Sequence, residues 1–202
     1  MIVYFVPFAC SLAARIALDE AGIEAEFIQV VPGQPAPDGF SGASPMGYVP
    51  AIRTAHGTVL SEGPAVLQYI ADLAPGSGLA PAPDSPDRYR LQLWLNFISS
   101  EVHKAVFAPL MTNASPNGAR IWAQSLADQR FNVLSGRLET HDHLLDAFSV
   151  ADAYLLAVLN WCEYAGIDLA AWPVLHAWRT RLRTRPSVAR AMATEMPLRK
   201  AA

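Results

Sequence analysis

The chain has 202 residues, 52% of them hydrophobic and 16% charged, and a formal net charge of -3. This mix suits a packed soluble globule of one large domain or two small ones and excludes a disordered chain. Without an excess of Lys and Arg to neutralise phosphates, it also excludes a general nucleic-acid binder.

Two cysteines, Cys10 and Cys162, are too few and too far apart for a disulfide framework, which points to a reducing compartment. The opening "MIVYFVPF" has no Lys or Arg ahead of its apolar run, and Pro7 interrupts that run, so it does not read as a signal peptide. The apolar stretch "AYLLAVLNWC" is bounded by Asp152 and Glu163 and is too short to span a bilayer. The expected location is the cytoplasm.

In chain order, "IVYFV" is a short β-rich run ended by Pro7, predicted as a buried strand. "SLAARIALDEAG" places Leu12, Ile16 and Ala17 at helical spacing, with Gly22 as the stop. "AEFIQVV" is a second strand, so the first three elements fit a right-handed βαβ unit. "PGQPAPDGFSGASPMG" is predicted as an irregular loop. "VPAIRT" and "TVLSE" form a hairpin around "AHG", and "GPAVLQYIADLA" is a helix with Pro64 in its first turn.

"PGSGLAPAPDSP" reads as a spacer and the domain boundary. Beyond it, "DRYRLQLWLNFISSEVHKAVF", "IWAQSLADQRFNVLSGRLE", "VADAYLLAVLNWCEYAG" and "WPVLHAWRTRLRT" all carry helical apolar periods. The expected architecture is an α/β domain of order βαβ then ββα over residues 1–76, a linker over 77–85, and an all-α domain over 86–202.

Four stretches carry chemistry. Cys10 lies where the first strand gives way to a helix, and an N-terminal macrodipole there favours a thiolate, with the Ser11 hydroxyl as a further donor. The alternative is a small buried hydrophobe. Cys162, among Leu159, Trp161 and Tyr164, reads as structural filler. In "GYVPAI", Pro50 cannot join a ladder, which leaves the Val49 backbone free to pair with an extended peptide; an ordinary loop-to-strand proline is the other reading. In "SEGPA", Gly63 as helix cap leaves N–H groups suited to a carboxylate and Glu62 could hold an ammonium, against a solvated first-turn glutamate. In "NFISSEVHK", Asn96, Ser100 and His103 are spaced to share one helix face, although a lone helical histidine is more often partly buried. Ser149 and Asp152 make a capping box with a structural role, and the arginines of "WRTRLRTRPSVAR" read as a solvated helix face.

In this order, "ACSLA", "GYVPAI", "SEGPAVLQYIADL", "RYRLQLWLNFISSEVHK" and "FSVADAYLLAVLNW" resemble the beta class of bacterial glutathione transferases over nearly the whole length. The resemblance implies a thioredoxin-like domain joined to an all-helical one, a homodimer, and glutathione as co-substrate in the inter-domain cleft, with no metal. It implies that Cys10 faces the glutathione sulfur beside Ser11, and that Pro50 is a cis-proline. Val49 would pair with the cysteinyl part, Glu62 and Gly63 would meet the γ-glutamyl end, and Asn96, Ser100 and His103 would lie over the cleft, with Cys10 and His103 catalytic.

The implied activity is conjugation of glutathione to small hydrophobic electrophiles, a detoxification chemistry. Cysteine-dependent thiol–disulfide exchange is a rival on the same site, and a non-catalytic glutathione-binding or partner-docking module is the alternative. One departure stands out: the loop "VPGQPAPDG" has no Lys or Arg where relatives carry a lysine for the glycine carboxylate of glutathione. Weaker glutathione binding is expected.

Overall fold

The computed structural model describes residues 1–201. The first strands follow the apolar alternation: β1 (Ile2–Phe5) pairs in parallel with β2 (Glu26–Gln29), and the helix α1 (Leu12–Ala21) connects them. Gly22 closes α1 in the left-handed conformation at φ 65°, donating back to Asp19 and Leu18. The hairpin β3 (Ala51–Arg53) and β4 (Val59–Leu60) completes a mixed sheet of order β2-β1-β3-β4, with β3 antiparallel to β1.

The loop predicted as irregular contains a one-turn helix, α2 (Phe40–Ala43). Tertiary packing overrides the local composition there. Phe40 is buried against Tyr4 at 5.3 Å between ring centroids, in a small cluster with Ala43 and Ala51 on one face of the sheet. Gly39 enters this helix at φ 76°, a conformation that favours glycine, and a Cβ there would crowd the Tyr4 hydroxyl at 2.7 Å and the Arg53 guanidinium at 2.8 Å. Val3 and Ile52, at alternate positions, face the opposite way into the main core.

The helix α3 (Gly63–Leu73) ends the first half. The Pro-rich spacer that follows is anchored rather than free. Leu79 is 1% exposed and its carbonyl accepts from the Val150 N–H. Arg88 makes a bidentate pair with Asp72 at 2.9 and 2.8 Å and also donates to the Pro81 carbonyl.

Next comes one long helical run: α4 (Pro86–Asn96), capped by Ser85, then a π-helical stretch (Phe97–Phe107), then α5 (Ala108–Met111). The apolar spacing foresaw a helix here, but not its widening to the π form. The helices α6 (Asn117–Leu138), α7 (Val150–Leu159), α8 (Cys162–Ala165), α9 (Pro173–Arg183) and α10 (Pro186–Glu195) complete the second half.

Every residue of α7 is buried, as a sequence apolar apart from its capping Asp152 requires of a central helix. The capping box at its start is formed: the Ser149 hydroxyl accepts from the Ala151 N–H, and Asp152 accepts from the Ser149 and Leu144 N–H groups. One continuous core runs from Val3, Leu12 and Ile70 through Leu95 and Leu155 to Leu182. The two halves are therefore sealed through α1 and α7.

The arginine run is a solvated face only in part: Arg181 and Arg190 are exposed, and the other three are engaged. Arg179 is 7% exposed and donates to the Leu159 carbonyl, Arg183 donates twice to the Asn160 side chain, and Arg185 makes a bidentate pair with Glu20 across the two halves. Sequence spacing could not show this, because the partners are between 20 and 165 residues distant.

Candidate functional site

The turn over residues 6–10 begins where β1 ends and is held from both sides by the helical half. Phe8 takes φ 58°, a region costly for a bulky residue. Its N–H donates to Glu195 at 2.7 Å, and its carbonyl accepts from the Trp161 indole at 2.8 Å. Glu195 is itself 0% exposed and paired with Arg15 at 2.9 Å. Two long-range hydrogen bonds thus hold a strained residue two positions before Cys10.

Cys10 is half-buried at the end of this turn, and α1 starts two residues later. The expectation of an activated thiolate is corrected. Burial pushes the thiol up to about 12, and the opposing pull of Lys104 and of the Cys10 and Ser11 backbone N–H groups does not overcome it. The thiol donates to the Val49 carbonyl at 2.9 Å. Without glutathione, Cys10 is a neutral donor at physiological pH.

Ser11 is also corrected. Its hydroxyl is fully buried and engaged with the Val6 backbone, donating to the carbonyl at 3.1 Å and accepting from the N–H at 3.2 Å. Ser11 reaches the sulfur through its backbone N–H alone.

The Val49–Pro50 peptide bond is cis, as the resemblance implied. Val49 offers half of the free backbone expected of it. Its N–H has no partner among the described residues, while its carbonyl is held by the Cys10 thiol. In the third stretch the cap is Glu62, one residue earlier than expected, and α3 starts at Gly63. Glu62 is exposed at φ 68°, a second non-glycine residue in the left-handed region beside the cleft. A Cβ at Gly63 would meet the Tyr154 ring at 3.7 Å, an ordinary contact.

The helical half brings His103 to the cleft and leaves Asn96 and Ser100 on the exposed surface, neither of them lining the cavity that His103 lines. The shared face expected from α-helical spacing is lost in the π-helical stretch, whose i→i+5 bonding changes the angle between these residues. Ser100 turns its hydroxyl back to the Asn96 carbonyl at 2.9 Å.

His103 packs edge-on against Trp161 at 4.8 Å, and its Nδ1 shares a hydrogen bond of 2.8 Å with the Tyr154 hydroxyl. Burial, reinforced by Lys104, lowers the imidazole to about 4, so it is neutral at physiological pH. Burial also raises the Tyr154 phenol, which therefore keeps its proton.

Tyr154 is a residue that sequence reasoning missed. It lay inside an apolar helix pattern credited only with structure, yet it stands between Gly63 and His103, close enough for Cys10 and Glu62 to act on its hydroxyl. Its signal was present in the sequence: a buried tyrosine needs a partner for its hydroxyl.

A cavity of about 350 Å³ opens beside these groups. Residues 6–9 form one wall, His103 and Met111 a second, and Trp161 and Tyr164 a third, with Arg199 at its edge. The walls are mainly apolar. Lys104, next to His103, reaches over the Tyr48 ring at 4.4 Å and so crosses between the two halves. Cys162 is fully buried and pushed up to about 12, consistent with structural filler. The arrangement can hold a neutral thiol, a neutral imidazole and an apolar molecule side by side.

The comparisons with known proteins agree on one family. Residues 9–73 match the family model "Glutathione S-transferase, N-terminal domain", and residues 103–186 match "Glutathione S-transferase, C-terminal domain". An Escherichia coli protein named Glutathione S-transferase GstA is 31% identical, aligned over 96% of this chain and 98% of its own length. A sphingomonad glutathione S-transferase solved with glutathione superposes with a TM-score of 0.90 at 42% identity, over 96% of this chain and 98% of the other. A beta class enzyme from Sphingomonas chungbukensis does so with a TM-score of 0.90 at 39% identity, over 96% and 98% of the two chains.

Proposed function

The chain belongs to the glutathione S-transferase family, and from that membership we propose a specific division of labour within its cleft. The protein is a glutathione transferase with a thioredoxin-like domain and a helical domain. In the proposed reading, residues 1–76 bind glutathione and residues 86–202 complete the electrophile site.

Glutathione lies extended along residues 49–50, with its cysteinyl part on the Val49 backbone beside cis-Pro50 and its γ-glutamyl end at Glu62 and Gly63. The unpaired Val49 N–H supports this placement. The sulfur then sits next to Cys10 and the backbone N–H of Ser11. Its thiol gives up a proton to water, and the sulfur lone pair forms the new bond to carbon as the leaving group departs with its electrons. Cys10, as a neutral thiol, supplies a hydrogen bond to the reacting sulfur, and Lys104 supplies positive potential. Neutral His103, oriented by Tyr154, borders the electrophile. Asn96 and Ser100 remain candidates for glutathione contacts at the surface of the cleft.

The observation that carries this reading is the mainly apolar cavity lined by residues 6–9, the turn that leads into Cys10, together with His103. Conjugation is favoured over exchange because exchange requires a Cys10 thiolate, and burial opposes one. The binding-module alternative is not favoured by relatives that are named transferases.

Turnover of chlorodinitrobenzene with glutathione tests the reading. His103→Ala is expected to lower the rate, and Cys10→Ala to abolish any thiol transfer while sparing much of the conjugation. Retention on immobilised glutathione with no turnover of either an aryl halide or a mixed disulfide would return the protein to a binding role.

We further propose a homodimer. Tyr89 and Leu93, one turn apart on α4, are 72% and 60% exposed. A monomeric mass by light scattering would remove it. No helix among the described residues is long and apolar enough to cross a membrane, and we place the protein in the cytoplasm.

A further inference from the structure

The electrophile cavity is asymmetric in charge. Its walls are mainly apolar, and its one charged lining residue among those described is Arg199, which stacks over the Tyr164 ring at 4.4 Å and lies 5.5 Å from the Phe8 ring centroid. Two aromatic faces therefore orient the guanidinium at the lip of the cavity. Arg199 has no carboxylate within 4.0 Å among the described residues, whereas most of the other arginines are paired or donate to protein carbonyls. No Asp or Glu among the described residues lines the cavity.

One further polar side chain borders the cavity. Asn160 lines the cavity and is 4% exposed, with its Oδ1 taken by Arg183 at 3.0 and 2.8 Å. Its Nδ2 is left without an acceptor among the described residues. Arg183 has no carboxylate within 4.0 Å among those residues either. An uncharged hydrocarbon electrophile uses none of these groups. A cation with no carboxylate partner among the described residues, bordering an apolar cavity, favours a ligand that is apolar over most of its body and anionic at one end.

We propose that the preferred electrophiles of this enzyme are aromatic or conjugated molecules bearing a carboxylate, which Arg199 receives while the apolar body fills the cavity toward His103. This rests on the transferase reading above and names the substrate class for the same site. In the step itself, the sulfur–carbon bond forms as the carbon–halogen bond breaks, halide leaves with the electron pair, and the thiol proton goes to water.

The test compares a chlorodinitrobenzoate with its methyl ester, each rate divided by its own uncatalysed rate with glutathione, so that intrinsic reactivity cancels. The native enzyme is expected to favour the carboxylate. Arg199→Gln is expected to lower kcat/KM for the carboxylate at least about tenfold and to change that for the ester within about twofold. Arg199→Lys, which keeps the charge, should retain most of the preference. Equal losses on both substrates in Arg199→Gln, or a native enzyme that favours the ester, overturn the proposal. Chlorodinitrobenzene separates the two levels of argument. Turnover of it without a carboxylate preference removes the substrate class alone, and no turnover of any of the three removes the transferase reading and this inference with it.

Discussion

The two halves of the molecule meet along two seams, and the seams are built oppositely. At the back, where α1 meets α10, the charges are matched: Glu20 with Arg185 at 2.7 Å, Asp19 with Arg190, and Arg15 with the buried Glu195. At the front, Lys104, Glu62 and Arg199 have no ion pair among the described residues, and the buried ionisable groups Cys10, His103 and Tyr154 are all held neutral. Matching charges ties the two halves together along one seam. Leaving charges unmatched and burying neutral donors keeps the other ready for a charged tripeptide and an apolar partner. Glu195 links the seams, since one of its oxygens takes Arg15 and the other takes the Phe8 N–H.

The strongest way to break this arrangement is therefore Glu195→Ala. It strands the Arg15 guanidinium and releases the Phe8 turn together. Removing one partner of a buried pair is expected to cost about 3 kcal/mol or more, seen as a drop in Tm of several degrees by calorimetry. Activity of the variant that remains folded should also fall, because the wall of the cavity moves. Unchanged stability would mean the back seam is not what holds the turn.

The next test addresses the neutral front. His103 is lowered to about 4 from an ordinary 6.5. Above pH 6.5 both folded and unfolded chains hold it neutral, and stability is complete. Between 6.5 and about 4 the unfolded chain takes a proton that the folded one refuses, so stability falls with falling pH, by up to about 3 kcal/mol from this residue. Denaturation of His103→Phe across that window should be flatter than that of the native protein by this amount. Parallel curves would show that His103 is ordinary and exposed.

How much of this contrast was legible in the sequence depends on the range of the interactions. The strands, α1, the hairpin and the capping box of α7 are local or periodic, and apolar spacing with Gly22, Pro64, Ser149 and Asp152 located them. The helix at Phe40 was not, because its cause is the Tyr4 ring of another strand. Arg179, Arg183 and Arg185 were misread for the same reason, with Glu20 lying 165 residues from Arg185.

At the site, Cys10, Val49 and His103 were legible from local pattern and family resemblance. The charge state of Cys10 was not. Position at a helix start suggested a thiolate, but burial decides the outcome, and burial is set by both halves together. The π-helical stretch similarly undid a spacing argument that was sound for an α-helix.

The Cys10 reading has its own, smaller test. A thiol pushed up to about 12 exposes little thiolate at pH 8, and alkylation by iodoacetamide should run about a hundredfold slower than for an unstructured cysteine peptide, after allowing for the greater nucleophilicity of a more basic sulfur. The rate should climb with pH through 9 without levelling. A plateau near neutrality would reveal a resting thiolate and restore exchange chemistry as the leading use of Cys10.

The smallest expected effect sharpens the front seam instead of breaking it. Gly63 brings a backbone N–H but no hydroxyl to the γ-glutamyl end proposed for glutathione. Space does not forbid one. The first atom of a new side chain at Gly63 would rest 3.7 Å from the Tyr154 ring, an ordinary contact, and the backbone there is helical, which suits serine. Gly63→Ser adds a donor to the γ-glutamyl end and also removes backbone freedom from the unfolded chain. A single hydrogen bond to a charged carboxylate, partly shared with water, is expected to lower the KM for glutathione by about threefold to fivefold, with kcat unchanged because the contact is the same in ground and transition states. A higher KM would mean that Tyr154 is the group already serving the γ-glutamyl end, and that its contact with the new side chain pulls its hydroxyl away from both glutathione and His103.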